Sequence, residues 1–239
     1  MKSRGSHLTM PVEDCLIAIA TLRDDEIPSI PARIAERLEI SLPSVSETLK
    51  RLERDGYVVQ QHIENARRKG PARPEYRLSE RGQEIADTLM RRHRLIERWL
   101  TDVLRLDWAA AHAEAHRLEH AVSDLVADQL NESMGFPTSC PHGNPISRFS
   151  GDNSSLTRLS EAEPGSHVTL RRISERAEDN ADLMTYYERE GLRPGADIRV
   201  RERAPLGRAL SIVVDGRDLI LPTDEASYLW VAAAELVPA

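Results

Sequence analysis

The period of the apolar positions changes several times along the chain, and each change predicts an element. Residues 11–23, PVEDCLIAIATLR, start with a proline and carry Leu16, Ile17, Ile19, Ala20 and Leu22, which predicts a first helix. Residues 31–60, PARIAERLEISLPSVSETLKRLERDGYVVQ, break into a short helix over 32–38, a tight turn around 40–42 and a second helix over 43–55 closed by Gly56. That is a helix-turn-helix pattern, with Val45, Leu49 and Leu52 as the buried stripe of its second helix. Residues 57–63 and 75–78 then read as two strands joined by a basic turn, ARRKGPAR, so the predicted unit is a winged helix-turn-helix. A long helix is expected from about Ser79, where Ser-Glu-Arg-Gly is an N-terminal signal. After Leu130 the stretch MGFPTSCPHGNPISRFSGDNSSL is dense in Pro, Gly, Ser and Asn and reads as an irregular connection. Beyond it, HVTLRRI, ADIRVRER, ALSIVV and DLILP read as short strands, Asp215-Gly216 as a hairpin turn and residues 181–191 as a short helix, together a small β-barrel.

The expected organisation is therefore mainly α with a β-rich end: a winged helix-turn-helix over 1–78, a helical domain over 79–146, a linker over 147–164 and an SH3-like barrel over 165–239. A chain of 239 residues, 40% hydrophobic, can bury more than one core. No apolar run approaches the roughly 18 residues of a membrane span, and MKSRGSHLTM lacks the apolar core of a signal peptide, so the expected location is cytoplasmic with no membrane partner. Cys15 and Cys140 are too few and too far apart for a disulfide framework and read as buried or idle thiols.

Charge sharpens the picture. The net charge of −7 argues against nucleic acid as a partner, yet Lys50, Arg51, Arg54, Arg67, Arg68, Lys69, Arg73 and Arg77 make residues 44–77 locally basic against five acids. A basic segment on an acidic protein is the distribution of a regulated binder of double-stranded DNA. Its candidate contacts are Ser41, Pro43, Ser44, Ser46, Glu47, Lys50 and Arg51 on the recognition helix and Arg67, Arg68 and Lys69 on the wing.

Candidate chemistry lies between His93 and His120. At about 100° per residue His93 and Glu97 share one face of a helix, and His112, His116, Glu119 and His120 fall within an arc of roughly 100° on a second. One such side chain is ordinarily a solvated residue in a chain with 30% charged positions; the set points to a metal ion. His116-Arg-Leu-Glu119-His120 also fits the HxxEH pattern of inverted zinc peptidases, which keeps a zinc metallohydrolase as an alternative, and a DNA-binding regulator without metal dependence is another.

The winged helix-turn-helix, two-helix ligand region and β domain together resemble the diphtheria toxin repressor family of metal-dependent repressors, most specifically in VSETLKRLERDGYV, RRHRLIERWL, HAEAHRLEHAVSD and HGNPI. The resemblance implies a transcriptional repressor, not an enzyme, acting as a homodimer on a palindromic operator of metal-homeostasis genes such as those of metal uptake, with no organic cofactor. It implies one metal site from His93, Glu97 and His112 and another from Asp14 with His116, Glu119 and His120. Iron-type members have methionine where this chain has Asp14 and cysteine where it has His116. Replacing sulfur by carboxylate and imidazole favours Mn²⁺, with Fe²⁺ second. Members with the β domain draw further ligands from it; here SERAEDNADL offers Glu178 and Asp182.

Overall fold

The computed structural model describes residues 8–63, 73–147 and 155–234. The chain divides into two compact units, Met1–Met90 and Arg91–Ala239.

The first unit begins with α1 (Met10–Asp24), whose side chains Val12, Cys15, Leu16, Ile19 and Leu22 are buried. Helices α2 (Pro31–Arg37) and α3 (Leu42–Arg54) follow, and Ile34, Val45, Leu49 and Leu52 join the same core, so the predicted stripe of the recognition helix is the buried one. Ser41 caps α3, its hydroxyl accepting from the Ser44 amide at 3.3 Å. At the other end Gly56 takes φ +78° while the Tyr57 amide donates to the Leu52 carbonyl at 2.8 Å and Gly56 to Glu53 at 3.1 Å, which stops the helix in the paired-carbonyl manner a glycine allows. Strands β1 (Val58–Ile63) and β2 (Arg73–Leu78) pair antiparallel, Val58 opposite Leu78. The wing tip between them, with Arg67, Arg68 and Lys69, lies outside the described residues. Ser79 then caps α4 (Glu80–Asp102): its hydroxyl accepts from the Gly82 amide and donates to the Gly56 carbonyl.

In the second unit the later part of α4 is followed by α5 (Trp108–Leu118) and α6 (Asp124–Ser133). Helix α5 is shorter than expected. Leu118 is its last residue, Glu119 is the cap and His120 lies in the following turn. The apolar pattern had not separated α6, whose cap Ser123 accepts from the Val126 amide.

The β domain is one antiparallel sheet in the order β3-β8-β4-β5-β6-β7, from β3 (Thr157–Arg158), β4 (His167–Ile173), β5 (Asp197–Arg203), β6 (Ala209–Val214), β7 (Arg217–Pro222) and β8 (Leu229–Ala233). Strands β3 and β7 are its edges, so among the described residues the sheet is open where a closed barrel was expected. Residues 215 and 216, both at positive φ, make the two-residue turn that joins β6 to β7, with Val214 opposite Arg217. Strand β3 and the buried Leu159 fall inside the stretch read as linker; a two-residue strand is too short to leave a period in the sequence. Short helices α7 (Glu175–Glu178), α8 (Ala181–Arg189) and α9 (Thr223–Ala226) complete the domain. Trp108, at the start of α5, belongs to the same core as Leu170, Ile173, Tyr187 and Leu229, and its amide is met by Glu188 of α8. The β domain is thereby packed onto the helix that carries His112.

Candidate metal centre

Residues of α5 and α7 converge on α4. His93 and Glu97, one turn apart, place Nε2 of the imidazole 2.9 Å from Oε1 of the carboxylate. From α5, His112 Nδ1 stands 2.9 Å from the same Oε1 and 3.2 Å from His93 Nε2. From the last residue of α7, Glu178 Oε2 lies 3.4 Å from His112 Nδ1. His93, Glu97, His112 and Glu178 offer four ligand atoms within 4.8 Å of one another, and all but His112 are buried. Helix α7 is held there by Arg94, which bonds Glu175 at 2.7 Å and the Pro145 carbonyl at 2.6 Å; the residue beside His93 thus ties the β domain to α4.

A second, overlapping group was not read from the sequence as a ligand set: Glu97 with Cys140 and His142, also within 4.8 Å. His142 is fully buried, its ring edge-on to Trp108, with Nδ1 3.1 Å from Glu178 Oε1. The Cys-x-His spacing in CPHGN was the available signal, but a cysteine and a histidine in a loop carry no helical period to mark them. A third group joins His93, His116 and Glu119, with His93 Nδ1 2.6 Å from Glu119 Oε2 and His116 Nδ1 3.2 Å from Glu119 Oε1. His116 is 60% exposed, whereas His120 is nearly buried and its Nε2 is also 3.2 Å from Glu119 Oε1. Asp182 is exposed in the first turn of α8 and belongs to none of these groups, so of the two β-domain candidates only Glu178 reaches the cluster. Asp14 lies on α1 in the first unit, partly buried.

Burial opposes charge on His93, Glu97, His112, Glu119, His142 and Glu178, and their partners overcome it. The carboxylates of Glu97 and Glu119 raise His93 to about 10 against that burial. Asp179, Glu178 and Glu97 raise His112 to about 12, and Glu178 and Glu97 raise His142 as well. Glu97, Glu119 and Glu178 are correspondingly lowered by the imidazoles. Without a cation, protons on the rings balance the buried carboxylates. Even so, Glu97 Oε2, Glu178 Oε2 and both ring nitrogens of His142 make no aligned hydrogen bond despite their short separations. Buried polar atoms rarely go unpaired, and a pocket of imidazoles and carboxylates with spare lone pairs fits a divalent cation that takes nitrogen and oxygen donors. Cys140, pushed up to about 11 chiefly by burial, stays a neutral thiol and adds little soft character at neutral pH.

In the first unit the candidate DNA contacts cluster on α3. Ser41, Pro43, Ser44, Glu47, Lys50 and Arg51 are exposed and Ser46 is partly so. Ser41 and Ser44 share a 2.8 Å hydroxyl contact, and the Ser46 hydroxyl is turned back to the Leu42 carbonyl.

Three family models match in chain order: the iron dependent repressor N-terminal DNA binding domain over residues 7–66, its metal binding and dimerisation domain over 79–148, and the FeoA domain over 157–233. The class so defined is a metal-dependent, DNA-binding transcriptional repressor carrying a C-terminal SH3-like domain. The chain is 36% identical to the iron-dependent repressor IdeR of Mycobacterium leprae, over 95% of this chain and 98% of that one. To the diphtheria toxin repressor of Corynebacterium diphtheriae it is 32% identical over 90% and 94%. Among solved structures, a manganese-dependent transcriptional repressor in complex with manganese superposes with a TM-score of 0.80 at 27% identity, covering 93% of this chain and all of that one. The chain belongs to the iron-dependent repressor family that includes the diphtheria toxin repressors.

The family is one of transcriptional repressors. Among the described residues no helix is long and apolar enough to cross a membrane.

Proposed function

We propose that the protein represses metal-homeostasis genes such as those of metal uptake, with Mn²⁺ as the preferred effector and Fe²⁺ second. The observation that carries the reading is the buried cluster of His93, Glu97, His112 and Glu178, drawn from two helices and the β domain. Its donors are nitrogen and oxygen, which suits Mn²⁺ and Fe²⁺ alike, and the ascending affinity order toward Cu²⁺ means the choice also depends on which ion is available. Relatives by sequence are named iron-dependent, and a solved relative was determined with manganese. The expectation that Asp14 completes a second set with His116, Glu119 and His120 rests on the family resemblance.

A divalent cation bound in the cluster would supply the positive charge that the ring protons otherwise provide. The residues' part is mechanical. His93 and Glu97 hold α4, His112 holds α5, and Glu178 holds α7, so ligation selects one arrangement of the three. A metal that binds this arrangement more tightly shifts the population toward it in proportion to that difference. In a twofold homodimer the recognition helices meet a palindromic operator with half-sites about one helical turn, or a multiple, apart. The test is a titration of operator binding on promoters of metal-uptake genes with Mn²⁺, Fe²⁺, Zn²⁺ or chelator. Tight binding with Mn²⁺ and with Fe²⁺, lost in chelator, is expected; equal binding in chelator would favour a regulator without metal dependence.

A further inference from the structure

Glu178 is the ligand candidate furthest in sequence from the others and sits at the end of a helix of only four residues, so its carboxylate needs an external support. His142 Nδ1 stands 3.1 Å from Oε1 without an aligned hydrogen bond, and the aligned support is one amide. Asn144, buried, donates through Nδ2 to Glu178 Oε1 and to the Ile173 carbonyl, both at 2.9 Å, and its Oδ1 accepts from Arg172 Nη1 at 3.2 Å. That network leaves the amide one orientation, because a flip would set its NH₂ against the guanidinium and its oxygen against two acceptors. Arg172 is buried in turn, with its guanidinium carbon 4.6 Å from the centre of the Trp230 ring.

Local geometry explains how a strand residue reaches this position. Strand β4 alternates until its pairing with β8 shifts between Leu170 and Arg172; after that irregularity both Arg172 and Ile173 are buried. The turn that carries Asn144 lies hard against β4. Gly143 has φ +86°, and a Cβ there would meet the Arg171 carbonyl oxygen at 2.1 Å, while the Ile173 amide donates to the His142 carbonyl at 2.8 Å. Turn and strand are therefore locked together on both sides of the amide.

We propose that Asn144, held by Arg172 on Trp230, is a positioning residue that fixes Glu178 as a one-oxygen metal ligand. The assignment rests on the cluster being a divalent-cation site. Oε1 is occupied by the amide, while Oε2, which faces His112, makes no aligned hydrogen bond and is the oxygen left to the ion. Because the amide is neutral, it orients the carboxylate without adding charge to that of the His142 ring beside the same oxygen. The positive charge of Arg172 is kept one residue back from the ligand.

The experiment measures Mn²⁺ binding to the full-length chain by loss of the free-ion electron paramagnetic resonance signal, without DNA. Asn144→Ala should weaken binding roughly 10- to 100-fold, the usual effect of removing a partner that orients a ligand. In a Glu178→Ala background the same substitution should change affinity less than twofold, since there is no carboxylate left to orient. A loss of equal size in both backgrounds means Asn144 serves only the fold, and the proposal is wrong. Equal affinity of parent and Asn144→Ala overturns it too. Should Asn144→Ala fail to fold, Arg172→Met, which keeps bulk beneath Trp230 but removes the donor, takes its place in the same pair of backgrounds with the same reading. A parent chain that binds no Mn²⁺ at this cluster, shown by an unchanged isotherm in Glu97→Ala, refutes the metal-site reading itself.

Discussion

His93 contacts Glu119 with one ring nitrogen and Glu97 with the other, at 2.6 Å and 2.9 Å. A single buried imidazole therefore joins the cluster around Glu97 to the group around Glu119. A carboxylate can only accept, so without a cation both nitrogens carry protons; a cation shared with Glu97 would displace the proton on Nε2 and leave the Nδ1 proton on Glu119. Carboxylate partners of this kind set the tautomer and raise the basicity of a ligating histidine.

It follows that Glu119→Gln should weaken Mn²⁺ at the Glu97 cluster by about tenfold, although Glu119 lies outside that four-residue group. Direct titration of Mn²⁺ against the variant checks this. An unchanged affinity at that cluster would show that the two groups act independently.

Proton release should accompany metal binding. His93 and His112 are raised to about 10 and about 12, so both rings are protonated at neutral pH without metal, whereas a ligating nitrogen must be bare. Affinity should thus increase as pH rises from 6 to 9, and calorimetry in two buffers of different ionisation enthalpy should report protons leaving. The metal-free chain should show the opposite trend. A group whose pKa is raised on folding contributes stability that is complete below its unfolded value near 6.5 and fades as pH climbs through the folded one. The metal-free melting temperature should therefore fall between pH 7 and 10, and fall less in His93→Gln. A parallel fall in both would place the titration elsewhere.

Cys140 offers a test of donor softness. It lies with His142 and Glu97, but its thiol is neutral at ordinary pH. Cys140→Ser should leave Mn²⁺ affinity within a few-fold and weaken Cd²⁺ by roughly tenfold or more, because a thiophilic ion gains most from displacing the thiol proton. Equal losses for both ions would mean that the serine disturbs packing instead.

The helix-turn-helix was legible because period, cap and stop agree in it: Ser41 before Pro43, Val45, Leu49 and Leu52 at helical spacing, and Gly56 where φ must be positive. His93, Glu97 and His112 were legible for the same reason, each standing on a helix with a clear period. Helix α5 was read too far because Glu119 and His120 continue its polar face; nothing in the period marks where Leu118 ends it. Glu178, left undistinguished from Asp182, depends on the approach of α7 to α4 through Arg94 and Glu175, a pairing 81 residues apart. Cys140 and His142 lie in an irregular turn, where tertiary contacts alone decide which side chains meet.

Positioning and reading of DNA can be separated at the first unit. The exposed Ser44 and Glu47 stand on the first turns of α3, where a recognition helix meets base edges, so substituting them should change which operator variants bind while leaving the salt dependence nearly unaltered. Ser41 acts differently. Its hydroxyl caps the helix, so Ser41→Ala should cost about 1 kcal/mol of stability and weaken all operators alike. Arg67, Arg68 and Lys69 of the sequence-predicted wing should contact phosphate; neutralising one should weaken binding to every sequence and lower the slope of log affinity against log salt by about one unit. A panel of operator variants measured at several salt concentrations decides between these roles. If the wing substitutions altered base preference while Ser44 and Glu47 changed only the salt slope, the placement of α3 in the major groove would have to be abandoned.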